Sequence, residues 1–140
     1  MDDVGAPPDA LLPHRGAALF LRRVLAWEPG ALLALCVVPP ESPFVQGGRA
    51  PAVVGLEAAA QAAGALLRLE KTGGRAEAPR PGYLVAVREA RFRTAWLRAD
   101  RELRVDVRRT GSAGPLAVHA VRVEADGVEC LVAQLSTYAP

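Results

Sequence analysis

The sequence predicts an α+β domain in which one long apolar helix is wrapped by a curved antiparallel sheet of about five to six strands. Three observations predict it. Residues 50–67 (APAVVGLEAAAQAAGALL) place Val53, Leu56, Ala60, Ala63 and Leu67 at helical spacing. The later segments alternate apolar and polar residues with period two, the mark of strands covered on one face. Residues that favour turns separate those segments. At 140 residues and 51% hydrophobic, the chain suits one folded domain with one core.

Taken in order, residues 1–10 are polar and Pro-rich and read as a flexible tail, leaving 11–140 as a single domain. Residues 19–27 (LFLRRVLAW) and 31–38 (ALLALCVV) are apolar runs of strand length. Glu28-Pro29-Gly30 joins them as a hairpin. Pro39-Pro40 stops the second strand, and residues 41–50 form a loop. Pro51 or Ala52 starts the helix, since proline suits a first helical turn, and the helix runs to about Leu69. Residues 71–81 (KTGGRAEAPRP) read as a linker or flexible loop. Residues 83–96 form a strand with Arg91 and Arg93 outward and Phe92 inward. Residues 102–109 (ELRVDVRR) alternate strictly, and 111–115 turn. Residues 116–124 and 128–138 form a last hairpin about Asp126-Gly127, a strong two-residue turn.

Composition narrows the function classes. Net charge is +2, and Lys71 is the only lysine. Cys36 and Cys130 lie in apolar runs without CxxC spacing, so buried free thiols are expected rather than a disulfide framework. With only His14 and His119 besides, no metal cluster is expected. The N-terminal MDDVGAPPDA lacks the basic and apolar regions of a signal peptide, and a cytoplasmic location is expected. The apolar stretch reaches the lower length limit of a membrane span. It is mostly alanine and contains Glu57 and Gln61, so a buried core helix is expected. The few aromatics are not interleaved with basic residues as a stacking face, which argues against nucleic acid.

Glu57 is the only charged residue in that stretch, between Arg49 and Arg68. A carboxylate costs several kcal/mol to bury unless it is neutralised or paired. Gln61 follows one turn later on the same face. Desolvation would raise the Glu57 pKa and favour a proton donor. Gln61 would orient Glu57 or hold a water. Backbone N–H groups near Val54 and Gly55, at the helix start, could hold a carbonyl oxygen. His14, in a Pro-His-Arg-Gly stretch, is the candidate base, while His119 sits within an alternating strand and suits a structural role. Glu57 could instead merely pair with Arg15 or Arg88.

Two motifs carry a family resemblance. Leu12-Pro13-His14-Arg15, with Phe20-Leu21 and Arg23-Val24 beyond it, resembles the opening of the bacterial 3-hydroxyacyl-acyl-carrier-protein dehydratases. Leu56-Glu57-Ala58 with Ala60-Gln61-Ala62-Ala63-Gly64 resembles their helix motif. Gly48-Arg49-Ala50-Pro51 is similar to the turn of the dehydratase-like branch associated with aryl-polyene pathways. The resemblance implies a hotdog fold and elimination of water from a 3-hydroxyacyl thioester. It assigns Glu57 to catalysis and Gln61 to support, and the relatives that carry the His14 segment also have a separate catalytic histidine. It implies a phosphopantetheine-borne substrate on acyl carrier protein or CoA, no separate cofactor, and a homodimer or a heteromer with a related hotdog subunit. The standard dehydratases carry a histidine in the loop before the helix. Here that loop, Phe44-Val45-Gln46-Gly47-Gly48, has none. Residues 75–109 hold ten arginines against five acidic residues, and Arg88, Arg91 and Arg93 are candidates for docking an acidic carrier protein. A hotdog thioesterase and a non-catalytic partner subunit remain as alternatives.

Overall fold

The structure is a computed structural model that describes residues 6–74 and 82–140. Residues 1–5 of the expected tail and 75–81 of the expected linker lie outside the described residues. Pro8–Leu11 forms a one-turn helix, α1, with proline at its first position. Residues 8–10, read from sequence as tail, thus begin a segment that buries Leu11 and Leu12. Strands β1 (Leu21–Glu28) and β2 (Ala31–Val37) form the expected hairpin. A short strand β3 (Arg49–Pro51) precedes a 3-10 turn, Ala52–Val54, that leads into the long helix α2 (Gly55–Thr72). Strands β4 (Tyr83–Phe92), β5 (Trp96–Arg98), β6 (Glu102–Ala113), β7 (Leu116–Ala125) and β8 (Val128–Tyr138) follow.

Six strands make one antiparallel sheet in the order β1-β2-β6-β7-β8-β4. The helix α2 packs across β1, β2, β6, β7 and β8, which is the expected hotdog arrangement. Ala58, Ala59, Ala62, Ala65, Leu66 and Leu69 meet Ala34, Cys36, Val105, Val107, Val123 and Leu135 in one core. The alanines give α2 a slim face that lets the sheet approach closely. By length and composition α2 with its preceding turn could cross a membrane, yet 67% of that apolar window is buried within the fold.

Three details depart from expectation. Residues 83–96 are two strands, because the chain leaves the main sheet after Phe92 and β5 pairs with β3. The Arg49 guanidinium stacks 4.2 Å from the Trp96 ring centroid across that ribbon. The β6–β7 ladder continues past a bulge at Arg109/Gly111 to Ala113↔Leu116, so only Gly114 and Pro115 turn. Phe92 was expected inward but is exposed. Its strand β4 lies at the sheet edge and stays open on both faces, with Val85 and Val87 exposed.

Gly55 shows how tightly α2 enters the core. A methyl group there would stand 2.7 Å from Leu131 Cδ2 and 3.1 Å from Leu97 Cδ1, and both leucines are buried. Overpacking costs about 1–3 kcal/mol, partly offset by alanine's helix propensity advantage of about 1 kcal/mol. Gly55→Ala is therefore expected to destabilise the fold by roughly 1 kcal/mol. Urea unfolding would show a lower midpoint at unchanged slope.

Candidate functional site

The residues before β1 bring a histidine over the first turn of α2. Leu12 and Pro13 continue from α1, and Arg15 holds the segment in shape through backbone carbonyls. Its Nη1 donates to Leu12 O and His14 O, each at 2.7 Å, and its Nη2 to Asp9 O at 3.1 Å. Arg15 is thereby committed to this segment rather than to Glu57. His14 Nε2 lies 3.3 Å from Glu57 Oε1, the two side chains being 33% and 45% exposed.

Gln61 locks the other side. Its Nε2 donates to Glu57 Oε1 at 2.9 Å and to Ala18 O at 2.7 Å. Its Oε1 accepts the N–H groups of Phe20 at 2.8 Å and Leu21 at 3.1 Å. The amide thus orients the Glu57 carboxylate and ties the start of β1 to α2.

The expectation of a raised Glu57 pKa is reversed. The hydrogen-bonding His14 imidazole holds the carboxyl below the usual carboxylate range, aided by the Gln61 amide and outweighing the opposing effect of burial. Partial exposure limits the desolvation that an apolar helix suggests by sequence alone. The folded-state pKa therefore lies below the unfolded one. The associated stability is present above the ordinary carboxylate range and is lost as pH falls through the lowered value.

His14, Glu57 and Gln61 line a cavity of about 300 Å³ with Leu11, Leu12, Ala60, Gly64, Leu67, Arg68, Lys71, Tyr83, Leu84, Thr137 and Tyr138. Its walls are the segment before β1, one stripe of α2, the start of β4 and the end of β8. Tyr83 and Tyr138 face each other with ring centroids 6.5 Å apart. Sequence reasoning missed this wall. The register pair Tyr83↔Tyr138 joins distant segments, and no local motif marks it.

The other expected site residues lie elsewhere. Gly55 donates its N–H to Ala52 O and Val53 O within the 3-10 turn and faces Leu131. Val54 is buried in the core. Neither lines the cavity, so the expectation of a carbonyl-binding pair there is corrected: the helix enters through a tighter turn that uses the Gly55 N–H. Arg88 and Arg91 pair across the ladder with Gln134 and Val132. Those residues alternate with the buried, helix-facing Leu131, Ala133 and Leu135, so the two arginines stand on the opposite face of the sheet. Arg93 follows the strand and meets Glu129 at 3.2 Å. His119 is fully buried on β7. Burial first, and the nearby Arg109 second, push its pKa down to about 4 despite Glu70, so it is a neutral core residue at pH 7. Glu70 closes α2 onto the sheet through a bidentate pair with Arg109 and an accepted bond from Gly30 N–H at 2.8 Å. Among the described residues no three His, Cys, Asp or Glu side chains are grouped to hold a metal.

Residues 6–140 match the family described as ApeP-like: ApeP dehydratase. Over 88 residues the chain is 42% identical to the 3-hydroxyacyl-[acyl-carrier-protein] dehydratase FabZ of Nitrosospira multiformis, a match covering 59% of this chain. It spans 60% of that relative's length. Among solved structures, the dehydratase heterocomplex ApeI:P from Xenorhabdus doucetiae is similar with a TM-score of 0.86 at 20% identity, over 96% of this chain and 91% of that one. A hypothetical thioesterase from Streptococcus pneumoniae TIGR4, with coenzyme A, is similar with a TM-score of 0.60 at 13% identity, over 84% of each chain. These two structures share the fold.

Proposed function

The chain belongs to the ApeP-like dehydratase family, and from that premise we propose that it eliminates water from a 3-hydroxyacyl thioester to give the trans-2-enoyl thioester. The contact of His14 with Glu57, 3.3 Å apart and facing a cavity with apolar walls, carries the reading. Elimination removes a proton from C2 and the hydroxyl from C3, so one group must accept a proton and another must donate one. Glu57, held as the carboxylate, takes the C2 proton. The C2–H electron pair becomes the C2=C3 double bond as the C3–O bond breaks. His14 donates a proton to the departing oxygen, which leaves as water. The proton on Glu57 then returns across the contact to His14 and restores the pair. These roles are the reverse of those expected from an apolar helix alone, because the resting Glu57 is ionised.

The thioester is carried on a phosphopantetheine arm, and no further cofactor enters the steps. Exposed Arg88, Arg91 and Arg93 support docking of an acidic acyl carrier protein. The open edge and exposed apolar side chains of β4 support pairing with a second hotdog subunit. The ApeI:P heterocomplex favours a related subunit over an identical copy. The cytoplasm is the compartment that suits carrier-bound chains.

The test follows a 3-hydroxyacyl carrier protein by mass, with the chain alone and with a candidate partner subunit. A carrier-bound product lighter by one water supports the reading. Release of free acid would assign a thioesterase instead, and unchanged substrate in both mixtures would leave a non-catalytic partner. The acid limb of the rate profile should lie below the ordinary carboxylate range, because Glu57 must be ionised and its pKa is lowered.

A further inference from the structure

The segment before β1 is built as one piece and rests on the body as one piece. Within residues 6–13 the hydrogen bonds among the described residues stay local: Ala10 N–H donates to Pro7 O and Leu12 N–H to Pro8 O, each at 3.0 Å. Arg15 ties the rest together by reaching back to the carbonyls of Asp9, Leu12 and His14. Little seats this piece on α2: the apolar side chains of Ala6, Leu11 and Leu12, and the His14–Glu57 contact. Leu12 rests on the helix at Gly64, since a methyl group there would stand 3.3 Å from Leu12 Cδ2. Beyond Gly16 the attachment changes. Gln61 clamps Ala18, Phe20 and Leu21, and Phe20 O accepts Val37 N–H at 2.8 Å, so from there the chain belongs to the sheet. Gly16, between the two, is exposed and has φ of 59° with open space about it, a conformation that glycine adopts without strain.

On the dehydratase reading, we propose that residues 6–15 form a strap that swings about Gly16, opening the cavity and parting His14 from Glu57 in a single movement, and that Arg15 is the positioning residue that keeps the strap in one piece. Leu11, Leu12, Pro13 and His14 supply one wall of the cavity. The strap therefore carries a wall and a member of the catalytic pair together. Lifted, it admits substrate and releases product. Seated, it covers the reacting carbons and sets His14 against Glu57, the division of labour of an enzyme lid. A segment with few buried contacts opens locally at far lower cost than the whole domain. Arg15 acts through His14 and touches no reacting atom. Without its guanidinium, Leu12 and His14 would move independently, and a seated Leu12 would no longer bring the pair together.

Thiol labelling reads the movement without catalysis. Leu12→Cys places a probe beneath the strap, and Leu21→Cys, fully buried beyond the hinge, reports opening of the body. The native Cys36 and Cys130 are buried and are followed separately by peptide mass. Position 12 should react with a maleimide at least about tenfold faster than position 21, because it needs only local opening. Gly16→Ala should speed position 12 by on the order of tenfold and leave position 21 unchanged. Alanine disfavours the positive φ that the seated strap requires, while its methyl group would meet nothing within 4 Å. Leu11→Cys repeats the measurement on the same strap if Leu12→Cys does not fold.

A double-mutant cycle on the Leu12→Cys background reads the coupling. His14→Ala removes the contact with Glu57 and should speed labelling at position 12 several-fold while Arg15 is present, but not in Arg15→Met. In the otherwise unaltered chain Arg15→Met should leave the unfolding midpoint in place, since Arg15 is exposed and its bonds lie within the strap. It should nonetheless slow single-turnover dehydration by about tenfold or more. The acid limb should move up towards the ordinary carboxylate range, because His14 is the foremost cause of the lowered Glu57 pKa. Equal labelling at positions 12 and 21, an effect of His14→Ala that persists in Arg15→Met, or an unmoved acid limb in Arg15→Met overturns the proposal. The expected labelling with no turnover of any 3-hydroxyacyl substrate would overturn the dehydratase reading and leave the strap standing.

Discussion

Replacing Glu57 with glutamine is expected to lower the dehydration rate by about 10²–10⁴-fold, the usual contribution of a positioned acid or base. The change is nearly isosteric. Its amide oxygen can still accept from Gln61 Nε2, now 2.9 Å from Glu57 Oε1, so the backbone should stay in place. What is lost is a group able to take the C2 proton and pass it to His14. The carboxylate is 45% exposed, so loss of its ion pair should change stability by less than about 1 kcal/mol. Single-turnover measurement with a 3-hydroxyacyl carrier protein separates the two effects. An unaltered rate in Glu57→Gln would sink the assignment of Glu57, and a rate loss matched by unfolding would reassign it to structure.

Local patterns in the sequence marked Glu57, Gln61 and His14, and the fold brings all three together. A charge at the start of an alanine-rich helix is conspicuous because burial is costly, and the one-turn spacing to Gln61 follows from helix geometry. The central helix and the Asp126-Gly127 hairpin were legible for the same reason, since they are specified by residues close in sequence. Asp126 and Gly127 both adopt positive φ (52° and 76°), as this turn requires. Non-local placements were not legible. Tyr83 reaches the cavity because β4 pairs with β8. Phe92 is exposed because its strand is the last in the sheet. The direction of the Glu57 pKa turned on the hydrogen-bonding His14 and on partial exposure, neither of which an apolar pattern reports. Val54 and Gly55 were read as free donors from the rule that helix starts leave N–H groups unpaired. A preceding 3-10 turn exempts Gly55 from that rule.

Gln61→Leu is expected to cost about 2–4 kcal/mol of folding stability, on the basis of the backbone groups it would orphan. Gln61 is 1% exposed, and both its donor and its acceptor atoms are used. Leucine has similar bulk and none of these bonds. It would leave the Phe20 and Leu21 N–H groups without Oε1 and the Ala18 carbonyl without Nε2. Each buried unpaired group costs about 1–3 kcal/mol, and the greater apolarity of leucine offsets only part of the sum. The affected segment runs from the His14 strap into β1, so the loss should also loosen the hold of His14 on Glu57. Gln61→Glu separates the two roles. It can still accept from Phe20 and Leu21, but when ionised it cannot donate to Ala18 or Glu57, and it sets a second carboxylate beside the first. Like charges at that distance favour protonation of one of them, so the acid limb of the rate profile should move to higher pH. An unfolding free energy for Gln61→Leu within about 0.5 kcal/mol of wild type would refute the anchoring role, and an unmoved acid limb in Gln61→Glu would separate Gln61 from the chemistry of Glu57.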